Sequence, residues 1–127
     1  MGNIQESLRS AMELNGTIGV ALVDANTGMT LGSAGGNQKF NVELAAAGYT
    51  DVVRAKTRAV KLLDLEDSTE DILITMGNQY HMIRVVNNEA VKRFGNLFLY
   101  IVMEKQRASL ALSRFKIAEI ERGLKVA

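Results

Sequence analysis

Three short apolar segments between Glu70 and Met103 constrain the fold of this chain more than any other part of its sequence. The first two lie in EDILITMGNQYHMIR and are joined by a Gly77-Asn78 turn, and the third is Leu97–Met103, LFLYIVM. Isoleucine, leucine, tyrosine and valine dominate these runs, and most of these are residues that strands prefer. The pattern predicts three consecutive antiparallel strands, at about 71–76, 79–87 and 97–103.

Other patterns on both sides predict two more strands and three helices. Residues 17–24 (TIGVALVD) and 29–33 form a predicted hairpin around a turn that contains Asn and Gly. Apolar residues at helical spacing predict helices over about 3–14, 40–63 and 107–124. Asn3 is expected to cap the first helix, with Glu6 three residues further on. The predicted order is α-β-β-α-β-β-β-α.

The apolar pattern also orders the strands. The strands at 18–23 and 97–103 are apolar or glycine on both faces, so both faces must be covered and these strands are expected to be central. The strand from Met29 carries polar residues and glycine and is expected at one edge, with the strand from Asp71 at the other. Helices on both faces of a five-stranded sheet make an α+β sandwich.

The helix predicted over 40–63 is apolar over more than half of its circumference. Leu44, Ala55, Ala59 and Leu62 form one flank, and Val42, Ala46, Tyr49, Val53 and Val60 form the other. A surface helix needs an apolar stripe only somewhat wider than about 100°. The surplus predicts either a contact with a second copy of the chain or a helix buried deeply within one chain.

Composition narrows the classes of function. A chain of 127 residues is expected to form one domain, residues 1–127, and its net charge of +1 gives no reason to expect nucleic acid as a partner. The absence of cysteine excludes disulfides, zinc thiolate sites and thiol catalysis. Neither a secretory signal nor an apolar run of about 18 residues is found, so a cytoplasmic protein without membrane insertion is expected.

These elements resemble the Roadblock/dynein light chain family, in particular its bacterial members that are associated with small GTPases. The resemblance rests on the hairpin ALVDANTGMTLGSAGG, on EDILITMGNQYHMIR and FLYIVMEKQRASLALSR, and on the final helix ALSRFKIAEIERGL. It covers residues 3 to 124 and implies a five-stranded antiparallel sheet with one long helix on one face and two on the other. It further implies dimers that bind Ras-like small GTPases or serve as light chains, without an active site.

Candidate chemistry is sparse. His81 is the only histidine and is interpreted as a hydrogen-bonded residue of the sheet, because a catalytic role needs a partner that the sequence cannot locate. The acidic residues of 64–71 lack the glycine and the terminal glutamate of a calcium loop. The run Gly35–Lys39 lacks the Gly-Lys-Ser/Thr ending of a phosphate loop. No catalytic residue, cofactor or metal is therefore predicted.

The predictions about partners concern two surfaces. A homodimer is expected because the strand from Asp71 has no proline or lysine to protect its edge and because the helix has a spare flank. Its predicted interface comprises Val42, Ala46, Tyr49, Val53, Val60, Ile72 and Ile74. Lys92, Arg93 and Phe94, in the loop before the last strand, are possible contacts with a partner, which the resemblance implies to be a Ras-like small GTPase.

Three function classes stay open at this point. The first is a non-enzymatic dimeric regulator or scaffold of a small GTPase, which the resemblance favours. The second is a structural dimerisation module without a GTPase. The third is a small ligand-binding or enzymatic domain that uses His81.

Overall fold

The computed structural model describes residues 2–92 and 94–126, without the side chains of Ala90 and Lys92. Its helices and strands follow the order α1 (Ile4–Met12), β1 (Thr17–Asp24), β2 (Thr30–Gly35), α2 (Val42–Leu62), β3 (Asp71–Thr75), β4 (Gln79–Val85), α3 (Glu89–Lys92), β5 (Leu97–Glu104) and α4 (Leu110–Gly123). The predicted order is confirmed, and the short helix α3 is an addition within a segment that was predicted to be a loop.

The five strands form one antiparallel sheet in the order β2-β1-β5-β4-β3. The two strands predicted to be central, β1 and β5, pair with each other, and the two predicted edge strands are at the edges. β2 runs two residues further than predicted, to Gly35, which pairs with Gly19. Gly35 has φ +79°, and a Cβ there would lie 2.5 Å from the Ile18 carbonyl oxygen, so the backbone at this end of the hairpin requires glycine.

The helices divide between the two faces of the sheet as the resemblance implies. α1 and α4 cover one face, and their buried Leu8 and Ile117 pack against Val20, Leu99 and Ile101 of the central strands. α2 covers the other face. The alternate residues of the central strands point toward it, including Ala21, Val23, Phe98, Tyr100 and Val102. Alternation along β1 and β5 thus supplies both apolar cores at once.

Helix ends follow local capping, with one exception. The side-chain oxygens of Asn41 and Ser109 accept hydrogen bonds from the amides of Leu44 and Leu112, so α2 and α4 begin two or three residues later than predicted. Asn3 is the N-cap residue of α1 as predicted, but its side chain makes no capping hydrogen bond to the helix. Asn3 instead donates to the Gly123 carbonyl at 2.8 Å and accepts from the Lys125 amide at 2.7 Å, which ties the first helix to the last.

Candidate protein-binding surface

The helix α2 has two apolar flanks, and the structure assigns one of them to the core of the chain itself. Val42, Ala46 and Val53 are buried against the sheet, with 6% or less of each residue exposed. Tyr49 also points inward and packs on Tyr100 with ring centroids 5.1 Å apart. Val42, Ala46 and Val53 therefore leave almost no surface for a partner, and the prediction needs correction at these three residues, while the partly exposed Tyr49 stays a prediction.

The opposite flank of α2 carries an apolar surface that the chain leaves open. Leu44 is 71% exposed and Leu62 is 87% exposed, and Gly48, Ala55 and Ala59 on the same flank are also exposed. At 100° per residue these side chains fall within a narrow arc. We call this set the outer stripe, which comprises Leu44, Gly48, Ala55, Ala59 and Leu62. Small residues at its centre permit close approach of another helix.

The edge strand β3 is the second open feature. It pairs with β4 on one side only, with Ile72 opposite Ile83 and Ile74 opposite His81. Both isoleucines are half-buried and belong to the face of the sheet that α2 covers. The outer backbone groups of β3 are without a strand partner in the described part of the chain. Such an edge is a template for pairing with another strand.

His81 lies beneath α2 at the centre of a polar cluster. Its Nδ1 atom is 2.8 Å from the Tyr49 hydroxyl and 3.0 Å from the Tyr100 hydroxyl, and its Nε2 atom is 2.7 Å from Oε1 of Gln79. An amide oxygen can only accept, so Nε2 carries the proton, and the single lone pair of Nδ1 accepts from the two hydroxyls in turn or in a shared hydrogen bond. This geometry joins α2, β4 and β5 through one neutral ring.

Burial governs the protonation of this cluster. Burial lowers the pKa of His81 and raises the pKa of Tyr49. The pKa of Tyr100 is raised strongly, first by burial and then by the neighbouring Tyr49. All three shifts favour the uncharged forms. The Phe40 ring contacts the imidazole edge-on, with centroids 5.9 Å apart. The cluster is therefore a neutral, hydrogen-bonded part of the core, as the sequence interpretation of His81 held.

The acidic segment 64–71 contributes to an ion-pair network. Asp71 accepts two hydrogen bonds from Arg114, at 2.6 and 3.2 Å, and lies 4.0 Å from Arg84. Arg84 in turn donates to the buried carboxylate of Glu121. The network fastens β3 and β4 to α4. Among the described residues, no group of three or more acidic, histidine or cysteine side chains is placed to hold a metal ion.

The loop predicted to contact a partner is described only in part. Phe94 is 39% exposed, whereas Arg93 and the side chain of Lys92 lie outside the described residues. Asn88 of the same loop donates to the carbonyls of Glu121, Arg122 and Leu124 at the end of α4. This anchor, which no sequence pattern predicted, positions the loop beside α4.

The comparisons with known proteins address the fold. The structure superposes on Myxococcus xanthus MglB with a TM-score of 0.70 at 21% identity, over 91% of this chain and 77% of that chain. The chain has the Roadblock/LC7 fold. A Roadblock/LC7 domain from Streptomyces avermitilis gives a TM-score of 0.72 at 9% identity, over 91% of this chain and 88% of that chain.

A third solved structure, described as MglB with a tetrameric arrangement, gives a TM-score of 0.66 at 16% identity, over 94% of this chain and 88% of that chain. No protein-family model matches the sequence, and no curated protein matches it either. The resemblance drawn from the sequence is thereby confirmed at the level of the fold. No helix in the described part of the chain is long and apolar enough to cross a membrane.

Proposed function

We propose that this chain is a non-enzymatic, dimeric regulator or scaffold of a Ras-like small GTPase in the bacterial cytoplasm. The observation that supports it most is that a Roadblock fold carries two open apolar features, the outer stripe of α2 and the edge of β3. Exposed apolar surface of this extent on a helix is typical of a protein-binding site. A regulatory role is supported by the likeness to MglB and by the family resemblance.

The dimer in this proposal uses the outer stripe and β3. The half-buried Ile72 and Ile74 stay part of the predicted interface, whereas Val60 is half-buried on the flank of α2 that faces the sheet and is left out of this dimer. A two-fold axis would pack the outer stripe of one chain against the outer stripe of a second copy, and β3 against β3. Two-fold dimers are the commonest oligomers. The tetrameric arrangement of a solved MglB agrees with self-association on this fold.

A non-enzymatic role is supported by the state of His81. Both ring nitrogens are engaged by hydrogen bonds with tyrosine and glutamine side chains, and the pKa of the ring is lowered by burial. A general base needs a nitrogen that can reach a substrate proton. We therefore assign His81 a structural role.

Calorimetry tests the GTPase partnership. The purified chain is titrated into each Ras-like GTPase of the native host, loaded with GDP or with a non-hydrolysable GTP analogue. We expect binding that differs between the two nucleotide states, and no nucleotide hydrolysis by the chain alone. Binding to neither state would contradict the proposal. A dimer that binds no GTPase would instead favour a structural dimerisation module.

A further inference from the structure

A cleft of about 290 Å³ separates the second half of α2 from the sheet. Val53 is buried against the sheet, but Val60, two turns later on the same flank, is only half-buried, so the helix packs less closely on the sheet toward its C-terminus. The apolar floor of the cleft includes Val53, Val60 and Phe98. The volume is at the lower end of the range for small-molecule pockets, roughly 300 Å³.

Lys56, the half-buried lysine of the cleft wall, has no counter-ion among the described residues. Lys56 lines the cleft, is half-buried, and makes no ion pair or hydrogen bond with any group in the described part of the chain. Its burial lowers its pKa, because a desolvated ammonium group is disfavoured. Pairing with an anion offsets part of the cost of desolvating an ammonium group, so a half-buried, unpaired lysine beside an apolar floor is suited to an anionic ligand.

The opposite rim adds neutral donors. Ser68 and Thr69 line the cleft, and their hydroxyl groups make no hydrogen bond within the described residues. The other charged residues of the lining are Lys61 and Asp67, both exposed. The net charge of the lining is therefore +1, and the carboxylate of Asp67 would repel a bound anion.

We infer that this cleft binds a small amphipathic anion, a carboxylate or phosphate monoester attached to a short apolar group, with Lys56 holding the anionic head. The apolar body would cover the valine and phenylalanine floor, and the hydroxyls of Ser68 and Thr69 would donate to the remaining oxygen atoms. A simple inorganic anion would leave the apolar floor exposed to water, whereas a neutral apolar molecule would leave Lys56 without a counter-ion. The inference concerns a site separate from the outer stripe and does not depend on the proposed GTPase partner.

Nuclear magnetic resonance with small probes tests the inference. Benzoate, phenyl phosphate, acetate and benzamide are titrated separately into the ¹⁵N-labelled protein, and the backbone amides of Thr57, Thr69 and Asn96 serve as reporters, with Glu119 as a distant reference. We expect saturable shifts with benzoate or phenyl phosphate, at a dissociation constant on the order of a millimolar. Whichever of benzoate and phenyl phosphate binds more tightly identifies the preferred anionic head group. Acetate lacks the apolar body and benzamide lacks the charge, so each should bind about ten-fold more weakly.

Two variants test whether Lys56 supplies the positive charge that binds the anion. Lys56→Met keeps most of the apolar stem and should weaken the preferred anion by about ten-fold. Arg58→Met removes one positive charge from the exposed side of the same helix and should leave the affinity within about two-fold, since exposed charges are screened. The inference is overturned if neither aromatic anion gives saturable shifts, if benzamide binds as well as benzoate, or if both variants bind alike. The wild-type comparison of probes decides the matter even where Lys56→Met does not fold.

Discussion

The two faces of the sheet differ in how completely they are covered. On one face, α1 and α4 together bury a continuous apolar core, and the buried ion pair of Arg84 and Glu121 joins α4 to β4. On the other face, the single helix α2 leaves β3 partly open, encloses a polar cluster around His81 and leaves a cleft at its C-terminal half. Two helices suffice to cover a five-stranded sheet, whereas one helix does not. The face with one helix therefore carries the cleft and the outer stripe, while α4 on the other face exposes Leu112 and Phe115.

The largest expected effect contrasts the two flanks of α2. Val53→Asp places an unpaired carboxylate in the core and should reduce the free energy of unfolding by several kcal/mol, enough to unfold the chain. Ala55→Asp, two residues away on the outer stripe, should cost only about 1 kcal/mol when the chain is monomeric, from the lower helix propensity of aspartate and its repulsion by Asp51 one turn earlier. Urea denaturation at low protein concentration measures both. Equal losses of unfolding free energy would contradict the assignment of the Val53 flank to the core and of the outer stripe to the surface.

The next prediction contrasts the two faces of the sheet. Ile117→Ala removes a fully buried side chain from the face with two helices and should cost about 2–5 kcal/mol. Ile74→Ala, on the face with one helix, removes a side chain that is only half-buried and should cost less than about 2 kcal/mol. Both values come from urea denaturation of the monomer. A larger loss for Ile74→Ala would mean that the single-helix face is as tightly packed as the other.

The third prediction concerns the open surface itself. Ala55→Asp should weaken the homodimer by at least about ten-fold, because a carboxylate would be buried in the contact. Ala47→Asp introduces the same charge at an exposed position of α2 outside the outer stripe and serves as the matched control. Light scattering across a dilution series measures the dimer dissociation constant of both variants. A wild-type chain that is monomeric at tens of micromolar, roughly the dissociation constant of a weak interface, would rule out the dimer.

The smallest effect concerns the polar cluster. His81→Gln cannot reproduce hydrogen bonds on both sides of the ring and should cost about 1 kcal/mol above pH 7. Burial lowers the folded-state pKa of His81 below its ordinary value of 6.5, so the stabilisation is complete above about pH 6.5 and is lost as the pH falls through the folded pKa. The difference between wild type and His81→Gln should therefore shrink toward pH 5. A difference that is constant with pH would show that the ring does not titrate with folding.

Local patterns predicted much of the fold because they report local physics. Apolar or glycine residues on both faces at 18–23 and 97–103 identified the two central strands. The polar residues and glycine of the strand from Met29 placed that strand at an edge. Boundaries moved by a few residues where a cap decided them, as at Asn41 and Ser109. The four-residue helix α3 is too short for any periodicity to indicate it.

The sequence by itself determined the order of elements, the central and edge strands, and the presence of two apolar flanks on α2. Only the tertiary structure decided which flank faces the sheet, since both satisfy the same helical period and either can pack. It also brought the hydroxyls of Tyr49 and Tyr100 to one nitrogen of His81, and placed Lys56 beside an apolar floor without an ion-pair partner among the described residues. Such groupings join residues that are far apart in the chain. They arise from how helices pack across a sheet, which periodicity does not encode.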